Sequence, residues 1–165
     1  VMDCHALSTL EPQFGQNTFI QRLQNSPDNN DVQKVMHMDT FFITVKFWFF
    51  PEDVTIDDGP FCYVPKSNIL TDKRKAWMRQ QWTDIIDGKI DPQRTYGHAE
   101  GSLRVFDDEL IRMGYDPKNT VVPVKANTLV IANTFGFHAR GEVSNTVIRQ
   151  AVHGSIRLSQ PFEVI

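Results

Sequence analysis

Along most of the chain, apolar and polar residues alternate over short runs broken by Gly, Pro, Asn and Asp, which is the period of β-strands. Thr18 to Leu23 reads as a first strand, closed by the turn-rich Asn25-Ser-Pro-Asp-Asn-Asn. Val32 to Asp39 alternates and leads into Phe41 to Phe50, a run of β-branched and aromatic residues stopped by Pro51. After the turn residues Asp57-Asp-Gly-Pro60 comes a short strand, Phe61 to Val64, ended by Pro65. Four more strands are predicted at Thr120–Val124, Thr128–Ala132, Gly136–Arg140 and Thr146–Val152. One segment has a helical signature: Thr71-Asp72 caps it, Lys73 to Ile86 forms it, and Asp87-Gly88 closes it. Residues 88 to 119 are polar and mixed, with a short helix expected at Asp107–Met113. The whole stretch from about 71 to 119 reads as an irregular insertion between strands. Eight or so short strands in one chain suggest a sandwich or a barrel.

The 165 residues fit a single domain with its own core, and neither an internal repeat nor a linker divides them. Seventeen Lys and Arg against 20 Asp and Glu give a net charge of −3. No basic stripe is visible, which argues against a nucleic-acid partner. Cys4 and Cys62 are too few for a disulfide scaffold, and no Asn-x-Ser/Thr acceptor occurs. The longest apolar run is ten residues, Phe41 to Phe50, and contains Lys46, so no membrane span is expected. No signal peptide is readable either, so the expected location is the cytoplasm. The cluster Lys73, Arg74, Lys75 and Arg79 reads as one solvated helix face.

His37-Met38-Asp39 carries the first chemical signal. On a strand, residues two apart project from the same face, so His37 and Asp39 can converge on one ion while Met38 points into packing. An imidazole and a carboxylate are two of the three ligands that hold non-haem Fe(II) in a facial arrangement. The blander reading is a surface histidine that happens to stand beside an aspartate. His138, within Asn133-Thr-Phe-Gly-Phe-His-Ala-Arg-Gly141, is the candidate third ligand. Its strand starts just after a turn, at what would be a barrel rim, where ligand sites gather. The alternative is a core histidine satisfied by backbone hydrogen bonds.

Taken in order, His37-x-Asp39, the aromatic strand, Asp58-Gly-Pro-Phe-Cys-Tyr-Val-Pro65 and Asn133-Thr134 through Phe137-His-Ala-Arg-Gly141 resemble the phytanoyl-CoA dioxygenase family over residues 18 to about 160. The resemblance implies a double-stranded β-helix, a jelly-roll or cupin-like barrel. It also implies an oxygenase that uses Fe(II), 2-oxoglutarate and O2 to hydroxylate a C–H bond of a small-molecule substrate. His37, Asp39 and His138 would bind the iron. Related halogenases replace the carboxylate with a small residue, so Asp39 favours hydroxylation; desaturation, ring closure and epoxidation stay open.

In the family a basic residue on the last strand, eleven positions after the distal histidine, pairs with the far carboxylate of 2-oxoglutarate; here that residue is Arg149. The local pattern agrees: Val147, Arg149 and Ala151 share a face, so the guanidinium points inward and needs a carboxylate to offset its desolvation. Arg140 is the rival. Trp48 matches a position lining the cosubstrate pocket, with a plain core aromatic as the alternative. Gln24, ending the first strand, is a candidate amide contact to 2-oxoglutarate. Two departures stand out. The family's Val-Pro-Gly-Ser-His reads Val64-Pro-Lys-Ser-Asn68 here, and only 36 residues precede His37 where the family carries a longer region. Two other readings survive: a non-catalytic β-helix binding domain, and a cupin-like metalloenzyme that does not use 2-oxoglutarate.

Overall fold

The computed structural model describes residues 18–27, 31–39, 44–89 and 102–156. These form two antiparallel sheets and two helices. In chain order the elements are β1 (Thr18–Asn25), a 3-10 turn (Val32–Lys34), β2 (His37–Met38), β3 (Val45–Phe50), β4 (Phe61–Tyr63), α1 (Asp72–Ile86), β5 (Leu103–Arg104), α2 (Asp107–Met113), β6 (Val121–Val122), β7 (Thr128–Asn133), β8 (His138–Arg140) and β9 (Val147–Ile156). One sheet has four strands in the order β1-β9-β3-β7, and the other has five in the order β5-β2-β8-β4-β6. The mainly β architecture and both helices were readable in the sequence. No helix among the described residues is long and apolar enough to cross a membrane.

Several elements differ from expectation for local reasons. The predicted strand over Val32–Asp39 begins as a turn, because the Asp31 carboxylate accepts a hydrogen bond from the Gln33 amide and caps it. Only His37 and Met38 pair as a strand. The strand predicted from Phe41 starts at Val45; residues 40–43 lie outside the described set. β9 runs four residues past the predicted Val152, paired with β1 from Val147 to Gly154 and with β3 from Val152 to Ile156. β5 was not foreseen within the polar 88–119 stretch. Two residues carry no readable period, and they pair only because β2 offers an edge.

Alternation along the four-stranded sheet decides what faces inward. Trp48 pairs with His153, and Gln21 with Ala151, so these four share the inner face. The outer face exposes Ile20, Leu129, Ile131 and Ile148. In the five-stranded sheet a row of directly opposed residues, Arg104, His37, His138 and Tyr63, crosses from β5 to β4. Its opposite face presents Met38 and Leu103 to a core closed by both helices, together with Val64, Trp77, Leu110, Phe135 and Phe137. Trp77 meets Phe137 edge to face at 5.2 Å, a geometry that contributes about 0.5–1.5 kcal/mol beyond area burial.

The helices are tied to each other by one buried acid. Glu109 of α2 accepts hydrogen bonds from Trp77 Nε1 (2.9 Å) and Gln81 Nε2 (3.4 Å) of α1, and from the Phe106 amide (3.0 Å). Thr71 caps α1 as expected, accepting from the Arg74 amide at 3.2 Å. Arg74, Trp77 and Gln81, at spacings of three and four, form the buried stripe of α1. Arg74 is therefore not on a solvated face, which corrects the reading of the basic cluster; its side chain is fully buried.

Candidate metal centre

His37 and His138 stand opposite each other on adjacent strands, β2 and β8, with ring centroids 4.5 Å apart. Both are nearly inaccessible, at 2% and 5% exposure. Asp39 follows β2, and its amide donates to the Thr134 carbonyl at 3.2 Å, which holds it beside the turn that leads to His138. The sequence-predicted triad thus converges: one ligand atom from each residue can be chosen so that all lie within 4.8 Å of one another. His37 Nε2 is 3.8 Å from Asp39 Oδ1, and His138 Nε2 is 3.6 Å from Asp39 Oδ2.

The ring orientation suits a cation. His37 Nδ1 contacts the Val35 carbonyl at 2.8 Å, and His138 Nδ1 contacts the Gly136 carbonyl at 3.0 Å. A carbonyl only accepts, so each Nδ1 carries the proton and each Nε2 presents its lone pair to the space beside Asp39. Gly136 must be glycine for this turn: a Cβ there would sit 2.1 Å from the Tyr63 hydroxyl. That hydroxyl donates to the Asn133 carbonyl at 3.1 Å and closes the turn from the other side.

Protonation states agree with metal binding. Burial, and then the neighbouring His138, hold the His37 imidazole well below its ordinary value, and burial does the same for His138. Burial alone would raise the Asp39 carboxyl, but His138, Lys46 and His37 together bring it below the ordinary value. All three groups are thus in their ligating forms at neutral pH. Cis ligands on bonds of about 2.1 Å stand roughly 3 Å apart, so a divalent ion would draw ligand atoms that now lie within 4.8 Å of one another closer together. Lys46 Nζ lies 2.6 Å from Asp39 Oδ2 and leaves Oδ1 as the ligating oxygen.

These shifts predict how the metal-free protein responds to acid. Unfolding releases both histidines to their ordinary value of 6.5, so the unfolded chain binds protons that the folded chain refuses. This contribution is full above that value and is lost as pH falls. Between pH 7 and pH 5 the loss should reach about 2 kcal/mol for His37, whose value in the fold is about 3, and His138 should add a loss of the same sign. Asp39 adds to the loss at still lower pH, below its ordinary 3.8. Urea titrations of chelator-treated protein at the two pH values measure it. Equal stabilities would mean that the imidazoles are not held neutral.

His37 and His138 line a cavity of about 280 Å³ together with Gln21, Trp48, Phe61 and Arg149. Larger cavities, about 350 and 860 Å³, lie elsewhere in the fold. Neither holds the triad, so chemistry rather than size singles out this one. Trp48 lies on its wall with its ring 4.8 Å from that of Phe61. Gln24 does not reach it. β1 runs on to Asn25, and its alternation turns Gln24 outward to solvent while Gln21 faces in.

The two arginines differ in their partners. Arg140 forms an ion pair with Asp31, so its charge is met within the protein. Arg149 donates from Nη1 to the Gly59 carbonyl and lies 5.7 Å from the centroid of the Phe50 ring, with no carboxylate in ion-pair contact among the described residues. Burial, followed by the nearby Arg140, lowers its pKa to about 10, which still leaves a full positive charge at neutral pH. Gly59 adopts φ +68°, and a Cβ there would come within 2.9 Å of Val143 Cγ1, so glycine is needed to present that carbonyl.

Lys66, where the resembled family has glycine, sits at φ +64° in the left-handed region. The turn therefore keeps the glycine-type backbone at a cost of about 1–2 kcal/mol. It still delivers buried Ser67, whose hydroxyl accepts from the Phe137 amide at 2.8 Å. His153 also lines the cavity, and Cys62 is a buried free thiol. Cys4, His5 and His98 lie outside the described residues. A scan against models of protein families finds no match to this chain, and a search of curated proteins finds none either.

Proposed function

We propose that the chain is an Fe(II)- and 2-oxoglutarate-dependent oxygenase of the kind the sequence resembles, acting on a small-molecule C–H bond. The observation that carries this reading is one cavity lined by both imidazoles of a His–Asp–His cluster and by an arginine with no acidic partner in contact among the described residues. The strand order supports it. From β2 to β4, and again from β7 to β9, successive strands alternate between the two sheets, as in a double-stranded β-helix.

In this reading His37 and His138 would hold the ion through Nε2 and Asp39 through Oδ1. The bound iron and cosubstrate supply the oxidation: 2-oxoglutarate, O2 and R–H become succinate, CO2 and R–OH. The protein supplies orientation and dryness. The backbone carbonyls of Val35 and Gly136 fix the imidazole tautomers, and Lys46 holds the second oxygen of Asp39. Arg149, oriented by the Gly59 carbonyl, would hold the far carboxylate through its guanidinium fork. Trp48, Phe50 and Phe61 exclude water from the walls. An inward cation is what distinguishes this chemistry from that of a cupin-like enzyme that does not use 2-oxoglutarate.

The Lys46–Asp39 contact favours a second reading, a non-catalytic domain in which an ammonium stands where an ion would. Adding 2-oxoglutarate anaerobically to the Fe(II)-treated protein separates the two. A weak visible absorption band, formed as 2-oxoglutarate chelates the iron, supports the oxygenase; a protein that takes up no iron supports the second reading.

A further inference from the structure

We infer that Arg74 is a positioning residue for the metal centre, a buried cation that clamps the two ligand-bearing segments together from behind the sheet. The inference rests on the metal-centre reading and extends it to a residue that touches none of the ligands.

Arg74 lies in the first turn of α1 and is fully buried. Its guanidinium carbon is 4.5 Å from the Phe135 ring centroid and 4.3 Å from that of Phe137. Nη2 donates to the Phe135 carbonyl and lies 3.6 Å from the Met38 sulfur. Met38 separates His37 from Asp39 in sequence, and Phe137 immediately precedes His138. One planar group therefore touches both segments that carry the triad, on the face opposite the ligands. Ser67, just before α1, adds the second tie by accepting from the Phe137 amide.

Stability does not account for an arginine here. Its surroundings are two aromatic faces, a thioether and a carbonyl, with Tyr63 and Tyr115 as the nearby titratable groups. Nε and Nη1 have no hydrogen-bond partner among the described residues. Burial lowers the pKa to about 10, so the group remains charged at neutral pH and bears the desolvation cost. Replacing buried charges by apolar side chains of similar volume is often neutral or stabilising. What an apolar residue cannot do is stack between two rings while donating in a fixed direction to the backbone between them. Those contacts fix where the His138 turn sits relative to β2, and hence the distance between the ligands.

The test uses the full chain, stripped of metal by a chelator and titrated with Co(II), whose visible bands report ligand geometry. Alongside wild type it takes Arg74→Met, which keeps volume and loses direction, and Arg74→Lys, which keeps charge and loses the planar fork. Both variants should lose Co(II) affinity, by about 10- to 100-fold for Arg74→Met, the size seen when groups that orient metal ligands are removed. The band shape should change, while metal-free Arg74→Met melts at or above the wild-type temperature. Unchanged affinity and spectrum in both variants would overturn the inference. So would an affinity loss that only tracks a fall in metal-free stability, or failure of both variants to fold, because Arg74 would then be structural. Wild type that binds no Co(II) would instead overturn the metal-centre reading on which the inference stands.

Discussion

Asp39→Ala should reduce metal affinity by more than about 100-fold and bring succinate formation to background. Changes one shell beyond a ligand already cost 10- to 100-fold, and this substitution removes a ligand. Two imidazoles from neighbouring strands remain, but they are neutral and no anion is left to offset the charge of the ion. The fold should survive. The bond that anchors this position to the His138 turn comes from the Asp39 backbone amide, which alanine retains. The side-chain partner, Lys46, is one-third exposed, so breaking that pair costs only about 0–1 kcal/mol. Calorimetric metal titration, thermal melts and a succinate assay on the same preparation check the three parts. Normal succinate production by the variant would mean that Asp39 is not a ligand.

Arg149→Ala should leave iron binding near wild type and weaken 2-oxoglutarate severely. The guanidinium touches no metal ligand, and its role in the proposal is confined to the distal carboxylate. Removing one partner of a buried, hydrogen-bonded charge pair costs about 2–5 kcal/mol, or roughly 30- to 5,000-fold in affinity. Arg149→Lys should recover only part of this, since a point charge lacks the fork. Arg140→Ala should change 2-oxoglutarate affinity by a few-fold at most, because Asp31 already meets its charge. Comparable losses for Arg140→Ala and Arg149→Ala would remove the assignment.

The triad was legible because its first half is local: a strand puts His37 and Asp39 on one face whatever the fold around it. His138 was a candidate from its place after a turn, but only the resemblance tied it to His37 and Asp39, since no local rule places it opposite His37 across a sheet. Arg149 was legible from its apolar neighbours on the same face. Gln24 was misplaced by the end of one strand. The expected strand stops at Leu23, the observed one continues to Asn25, and period-two alternation then puts Gln21 inside. Arg74 was masked by Lys73 and Lys75, which make its stretch look like solvated helix surface. The spacing Arg74, Trp77, Gln81 held the contrary signal. Lys46 and Asp31 gave no sign of their roles, because Lys46 meets Asp39 from a strand of the other sheet and Asp31 meets Arg140 from the cap of a turn, and neither meeting leaves a local pattern.

The central claim is that one cavity holds both iron and 2-oxoglutarate, and anaerobic titration tests it most directly. Fe(II) is added to the metal-free chain, then 2-oxoglutarate, with the visible spectrum followed throughout. The account predicts a weak absorption band that saturates at one equivalent of each. The band should be lost in Asp39→Ala and should need far more 2-oxoglutarate in Arg149→Ala. A wild-type chain that binds Fe(II) but gives no band with excess 2-oxoglutarate would contradict the account.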